Sequence, residues 1–235
     1  KKFQKLRYGE NPHQESSLYI SDYDDQNLGF EKLNGKDLSY NNYNDMFAAL
    51  DVLSSIRKHY ATVIIKHANP CGVSMSKSPL LSFKNAYASD PISAFGGVIA
   101  CNFKIDNKLA KEISKNFLEV ILAKSFDRDA LSILKKKKNL RIIDISKFKR
   151  KNLTTLKNFD GSFLLQSRDQ IIFNKKHLKC VTKLKLNKKE MTEIEFAFNV
   201  CKYTKSNAII LTNNFSTIGI GAGQPSRLDS CKIAS

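Results

Sequence analysis

The chain has 235 residues, of which 42% are hydrophobic, and a formal net charge of +17. That length and apolar content fit a globular protein of one large or two small domains, and no apolar run approaches the roughly 20 residues that a bilayer span needs. No secretory leader pattern opens the sequence, and five scattered cysteines form no CxxC or HExxH arrangement, so a soluble cytoplasmic protein without a metal is expected.

The charge invites a nucleic-acid reading. Only seven of the 39 basic residues are arginine, however, and the lysines are scattered or clustered in solvated runs such as Lys135 to Lys138. Arginine is the residue that meets phosphates and bases bidentately. The balance therefore points to lysine-rich surfaces around an anionic small-molecule site, with no specific nucleic-acid partner and no membrane.

Taken in chain order, Leu38 to Asn42 reads as a turn with polar N-cap candidates, leading into an amphipathic helix from Met46 to near Lys58. A strand follows over Ala61 to Ile65. The run Val63-Ile64-Ile65 then enters Lys66 and His67, and an Asn69-Pro70 turn closed by Gly72. Titratable groups at a strand end stand at the rim of a sheet, where open α/β folds bind ligands. Two adjacent proton-carrying groups on a rigid element suit proton transfer. Further on, helices are expected over Leu80 to Ala88, Asn107 to Lys115 and Arg128 to Lys136. Strands are expected over Val98 to Asn102, Leu118 to Ala123 and Leu140 to Asp144, with a loop from Asp90 to Gly97. Such alternation predicts a sheet with helices on its faces.

Ser146 to Asn158 loses the rhythm and reads as a basic connector, and Gly161 to Gln166 is strand-like. A second unit begins with helix Lys188 to Lys202, strand Ala208 to Thr212, a turn at Asn213-Asn214 and strand Ser216 to Ile220. The loop Gly221 to Gln224 then leads to a helix start at Pro225. Both units carry polar residues at a strand boundary, Lys66-His67 in one and Ser206-Asn207 in the other. The organisation expected is a first subdomain over 1–145, a connector and strand over 146–180, and the start of a second subdomain over 181–235, the two facing each other across a cleft.

Six segments resemble one family: Leu6 to Gln14, Leu38 to Asn42, Lys66 to Gly72, Ser89 to Gly97, Lys205 to Ala208 and Gly219 to Arg227. The family is the formyltransferase part of the bifunctional purine-biosynthesis protein that pairs AICAR transformylase with IMP cyclohydrolase. The resemblance implies a three-layer, cytidine-deaminase-like α/β fold, duplicated, with the second copy incomplete in this chain. It also implies formyl transfer from 10-formyltetrahydrofolate to the 5-amino group of AICAR, giving FAICAR, in a homodimer whose active sites are shared between chains. The cyclohydrolase part is not represented. Family members continue for roughly another hundred residues beyond the equivalent of Ile233-Ala234, so the alternative is a fragment that only binds nucleotide.

The residues support that chemistry in their own terms. The AICAR amine is a poor nucleophile, so a site must remove its proton and stabilise an oxyanion on the formyl carbon. His67 suits the first task, because imidazoles exchange protons near neutral pH, and Lys66 can keep that imidazole neutral while supplying positive charge. Asn207 offers an amide donor and acceptor. The resemblance assigns the matching lysine, histidine and asparagine to catalysis. For substrate binding, Arg7 and Arg227 suit phosphate through their forked donors. Tyr8 suits the ribose or base, and Gly96 permits close backbone approach. Glu119 is an acid inside an apolar run, costly without a partner, and lies where the family places a carboxylate on the nucleotide. Zinc deamination, the rival chemistry of such a fold, needs H-x-E and P-C-x-x-C. Here Asn69 stands where the glutamate belongs, and Pro70-Cys71 is followed by no second cysteine.

Overall fold

The computed structural model describes residues 1–20, 28–56, 59–149, 154–171 and 173–235. The chain opens with an antiparallel pair, β1 (Lys2–Lys5) and β2 (Ser17–Tyr19), and a short strand β3 (Glu31–Asn34). Helix α1 (Tyr40–Ser55) starts at Ser39, whose hydroxyl accepts from the Asn42 N–H while the Asn42 side chain accepts from the Ser39 N–H. This reciprocal cap satisfies two of the backbone donors that a helix start leaves unpaired. Then follow β4 (Tyr60–Lys66), β5 (Asn69–Ser76), α2 (Pro79–Ser89) and the one-turn helix α3 (Pro91–Ala94). The first unit is completed by β6 (Val98–Ile105), α4 (Asn107–Ser114), β7 (Val120–Phe126), α5 (Arg128–Lys135) and β8 (Arg141–Asp144). A hairpin of β9 (Thr154–Phe159) and β10 (Ser162–Ser167) leads to α6 (Lys188–Lys202), β11 (Ile209–Asn213), β12 (Ser216–Gly221) and α7 (Arg227–Ala234).

Eight strands form one sheet in the order β11-β12-β5-β4-β6-β7-β8-β3, parallel from β6 to β8 and antiparallel elsewhere. Helices cover both faces. On β4, Ala61, Val63 and Ile65 join Met46, Leu50 and Leu53 of α1, with Phe196 and Val200 of α6, on one face. Ile64 joins Phe83 of α2 and Leu109 and Ile113 of α4 on the other. Double coverage explains why the strands read as unbroken apolar runs instead of alternating ones. The chain is thus an α/β protein, as the alternation predicts.

Several boundaries differ from the sequence reading. The turn between β4 and β5 is not at Asn69-Pro70, which begin β5, but at His67-Ala68, with φ of 51° and 57°. Two positive φ values between directly paired Lys66 and Asn69 define a primed two-residue turn. Thr154 to Asn158 of the expected connector forms β9, and α1 ends at Ser55. Lys58, where that helix is expected to end, and residues 150–153 of the connector lie outside the described residues.

The run α1-β4-β5-α2 shares its element order and several local features with α6-β11-β12-α7. Asn187 and Glu190 form a reciprocal cap on α6, as Ser39 and Asn42 do on α1. The β11–β12 tip, Asn214-Phe215, has φ of 49° and 58°. Gly72 and Gly219 each stand fourth in their strand, and each presses on the following helix. A Cβ on Gly72 would lie 1.9 Å from the Ala86 carbonyl oxygen, and one on Gly219 1.8 Å from that of Ala234. The two hairpins meet edge to edge through β5 and β12, where Ser74 Oγ and Ser216 Oγ are 2.8 Å apart and the Val73 N–H donates to Thr217 Oγ1 at 2.9 Å. The positions matching Lys66-His67 in the second hairpin are Asn213-Asn214, while Ser206-Asn207 precede β11 at its other end.

Candidate active site

The Lys-His pair stands at the C-terminal end of β4. Lys66 Nζ donates to the Phe95 carbonyl oxygen at 2.6 Å, which bends the side chain over Gly96. Gly96 has a φ of 71°, and a Cβ there would lie 3.1 Å from Lys66 Nζ, so a glycine serves both the turn and the lysine's path. The exposed rings of Phe95 and Phe117 lean together beside this point, with centroids 4.9 Å apart. His67 is exposed, and a left-handed backbone at a non-glycine residue costs about 1 kcal/mol or more. The tip is held from below by Asp45 on α1, whose Oδ1 accepts from the Ala68 N–H at 2.7 Å. Burial pushes the Asp45 carboxyl above its ordinary value, against the opposing effects of the Ala68 N–H and the His67 charge.

A second group adjoins the first. Glu119 Oε2 accepts from Asn42 Nδ2 at 2.9 Å and lies 3.6 Å from the Arg141 guanidinium. The buried Arg141 also donates to the Asp37 carbonyl oxygen from Nε and Nη2, at 3.4 and 3.3 Å. Burial lowers the Arg141 pKa, Glu119 opposes this, and the positive charge of Arg7 lowers it further. The Arg141 guanidinium thus feels the positive charge of Arg7 as well as the Glu119 carboxylate. Arg7 is exposed, and its guanidinium sits 5.4 Å from the centre of the Tyr8 ring. The two groups are joined by the backbone, since the Gly96 N–H donates to the Phe117 carbonyl at 2.9 Å and the Glu119 N–H to that of Gly97 at 3.1 Å.

The second unit approaches the same tip, where the Lys205 N–H donates to Asn69 Oδ1 at 3.3 Å. Asn207 Nδ2 donates to the Gln224 and Pro225 carbonyls at 3.0 and 2.8 Å, tying the start of β11 to the loop before α7, where Arg227 is exposed. The structure therefore gathers Lys66, His67 and Gly96 at one point, and Arg7, Tyr8 and Glu119 at an adjoining one. It ties Asn207 to the loop before Arg227, near the far side of the tip. A cleft of about 490 Å³ between α1, α6, residues 169–171 and Phe173 contains none of these residues.

Asp45 and Arg141 belong to the site's geometry but are not singled out by the sequence. Arg141 carries the same signal as Glu119, an ion beside an apolar run. Asp45 falls between the expected turn at Leu38 to Asn42 and the expected helix from Met46, where nothing singles it out. Cys71, within the Lys66 to Gly72 segment, is a buried thiol pushed up to about 12 by desolvation, as is Cys101, and neither is a nucleophile at neutral pH. Among the described residues no group of three or more His, Cys, Asp or Glu could hold a metal, and no helix is long and apolar enough to cross a membrane.

A mixed sheet under two helical layers, with a lysine and a histidine at a hairpin tip beside a guanidinium–carboxylate group, defines an α/β protein with titratable groups gathered at one tip. The family model described as AICARFT/IMPCHase bienzyme matches residues 1–235, and the chain belongs to that family. It is 43% identical over 237 residues to the bifunctional purine biosynthesis protein PurH of Aquifex aeolicus, covering 100% of this chain and 46% of the relative. The PurH of Persephonella marina is 44% identical over 234 residues, 97% of this chain and 45% of its own. That of Parvibaculum lavamentivorans is 45% identical over 236 residues, 98% of this chain and 44% of its own. The chain spans less than half the length of these curated relatives.

Proposed function

We propose that this chain carries the AICAR transformylase chemistry of the bifunctional purine-biosynthesis enzyme, moving a formyl group from 10-formyltetrahydrofolate to the 5-amino group of AICAR. The observation that carries the reading is the Lys66-His67 pair on a tightly anchored hairpin tip. His67, exposed at the tip, takes the proton of the attacking amine as the C–N bond forms, and returns it to the folate nitrogen as the adduct collapses and the bond from the formyl carbon to that nitrogen breaks, releasing tetrahydrofolate. Lys66, directed toward Gly96, supplies positive charge to the formyl oxygen as it becomes an oxyanion. Asn207 orients the amine or the formyl oxygen from the second unit. Arg7 beside Arg141 and Tyr8 receives the nucleotide phosphate and ribose, with Arg227 as a further phosphate donor and Glu119 as the acceptor for sugar or base donors. Gly96 leaves room for the substrate beside Lys66. The exposed Phe95–Phe117 pair offers an aromatic surface for the flat ring of the folate, which enters as co-substrate.

The same reading extends to the fold. The matched caps, hairpin tips and strand glycines support a duplicated cytidine-deaminase-like unit, the first over 1–145 and the second beginning within 181–235, joined by 146–180. A homodimer with shared sites fits the β9–β10 hairpin, which exposes Leu156, Phe159, Phe163, Leu164 and Leu165. A cytoplasmic location fits a metabolic role of this kind.

The experiment is a formyl-transfer assay of the protein and its Lys66→Ala and His67→Ala variants, with AICAR binding measured beside it. Loss of about 100-fold or more in kcat for each, with affinity for AICAR little changed, is expected of groups that act on the transition state. Retention of most of the kcat by both variants removes the pair from the mechanism. AICAR binding without any turnover in the parent protein would reduce the chain to a nucleotide-binding module.

A further inference from the structure

We propose that Asp45 is a positioning residue for the His67 imidazole, anchoring the β4–β5 tip from the first turns of α1. The inference rests on the reading of Lys66-His67 as the reacting pair, and it adds a residue outside that pair. Three observations carry it. The tip consists of His67 and Ala68, two non-glycine residues that both adopt the left-handed backbone, with φ of 51° and 57°. Such a turn persists only where surrounding contacts over-determine it. The Ala68 N–H, at the apex of that turn, donates to Asp45 Oδ1 at 2.7 Å. Finally, the imidazole is exposed and makes no hydrogen bond of its own among the described residues, so the backbone beneath it sets where the ring stands.

The flanks of the tip are fixed by other means, Lys66 by the Phe95 carbonyl and Asn69 by the Lys205 N–H. Asp45 reaches the turn from another element, whereas the Asn69 amide, which donates to the His67 carbonyl at 3.3 Å, belongs to the flank of the same hairpin. Because α1 also carries Asn42, which holds Glu119 at 2.9 Å, one helix start aligns the proton-transfer tip with the carboxylate of the adjoining group. A misplacement of the base by a fraction of an ångström costs rate without costing substrate affinity.

The test compares Asp45→Ala, which removes the acceptor, with Asp45→Asn, which keeps an oxygen acceptor of the same reach. Hydrogen exchange at the Ala68 amide, kcat and AICAR affinity are measured for each. Asp45→Ala should speed Ala68 exchange by about tenfold or more and lower kcat by about 30-fold to 100-fold, with affinity for AICAR within about threefold. Asp45→Asn should restore Ala68 protection and bring kcat back to within about fivefold of the parent. Should Asp45→Ala fail to fold, Asp45→Asn decides alone: an unprotected Ala68 amide in that variant overturns the anchor. Unchanged Ala68 exchange in Asp45→Ala, or a kcat within about threefold of the parent, also overturns the proposal. Absence of formyl transfer in the parent protein overturns the functional reading instead, and Ala68 exchange then decides the anchor by itself.

Discussion

Asp45 is held where its charge is costly. Burial raises its carboxyl pKa, and the Ala68 N–H and the His67 charge recover only part of that cost. The folded state therefore keeps the proton to higher pH than the unfolded state does, and stability falls as pH rises through the window just above the ordinary carboxylate range. A neutral asparagine carries no such cost, so Asp45→Asn should melt at or above the parent's temperature at pH 7, with the gap closing as the pH approaches about 4. Thermal melts of both proteins across that range check it. A variant less stable than the parent at pH 7, by more than at pH 4, would mean that the tip's charges outweigh burial. The residue scale is also where the sequence is least legible. Glu119 stands out because an ion interrupts an apolar run, and the same rule applies to Arg141. Asp45 gives no such signal, because it precedes the apolar spacing that marks the helix from Met46, and a partly buried carboxylate there looks like a solvated one in sequence.

Among the elements, those buried on both sides were legible and those defined by backbone torsion were not. Val63-Ile64-Ile65 and Val98-Ile99-Ala100 read as strands because helices on both faces demand continuous apolar runs. Asn69-Pro70 reads as a turn because its composition favours one, yet the chain turns at His67-Ala68, whose left-handed torsions no composition rule announces. β3, with two exposed residues among its four, gives no hydrophobic pattern at all. The glycines of β5 and β12 carry information that only the packing reveals. A Cβ on Gly72 or Gly219 would meet a helix carbonyl oxygen under 2 Å away, and backbone cannot swing aside as a long side chain does. Gly72→Ala and Gly219→Ala should each push a helix off its strand and cost about 3 kcal/mol, on the order of 10 °C in melting temperature for a chain of this size. Melts within about 2 °C of the parent for both variants would show that the helices adjust freely and that the close seam is incidental.

Over the whole molecule, the +17 charge and the candidate site make opposite claims about partners. The site concentrates its cationic groups: Arg7 near the buried Arg141, and Lys66 turned toward Gly96. Most of the remaining charge is lysine on exposed positions of separate elements, such as Lys115 on α4's C-terminal end and Lys188 and Lys189 on α6. A diffuse lysine surface attracts a polyanion through counterion release alone, without reading sequence. Binding to duplex DNA should therefore be sequence-independent, and a complex with roughly six to ten phosphate contacts should weaken by about 10³-fold to 10⁵-fold between 50 and 200 mM salt. On the proposed function AICAR should behave differently, because a mononucleotide releases no condensed counterions and would meet only a few cationic groups. Its affinity should fall by less than about tenfold over the same range. Titrating both ligands at several salt concentrations separates the two modes. A nanomolar, sequence-selective DNA complex surviving at about 150 mM salt would mean that the lysines form a built interface, and the small-molecule reading of the charge would fall with it.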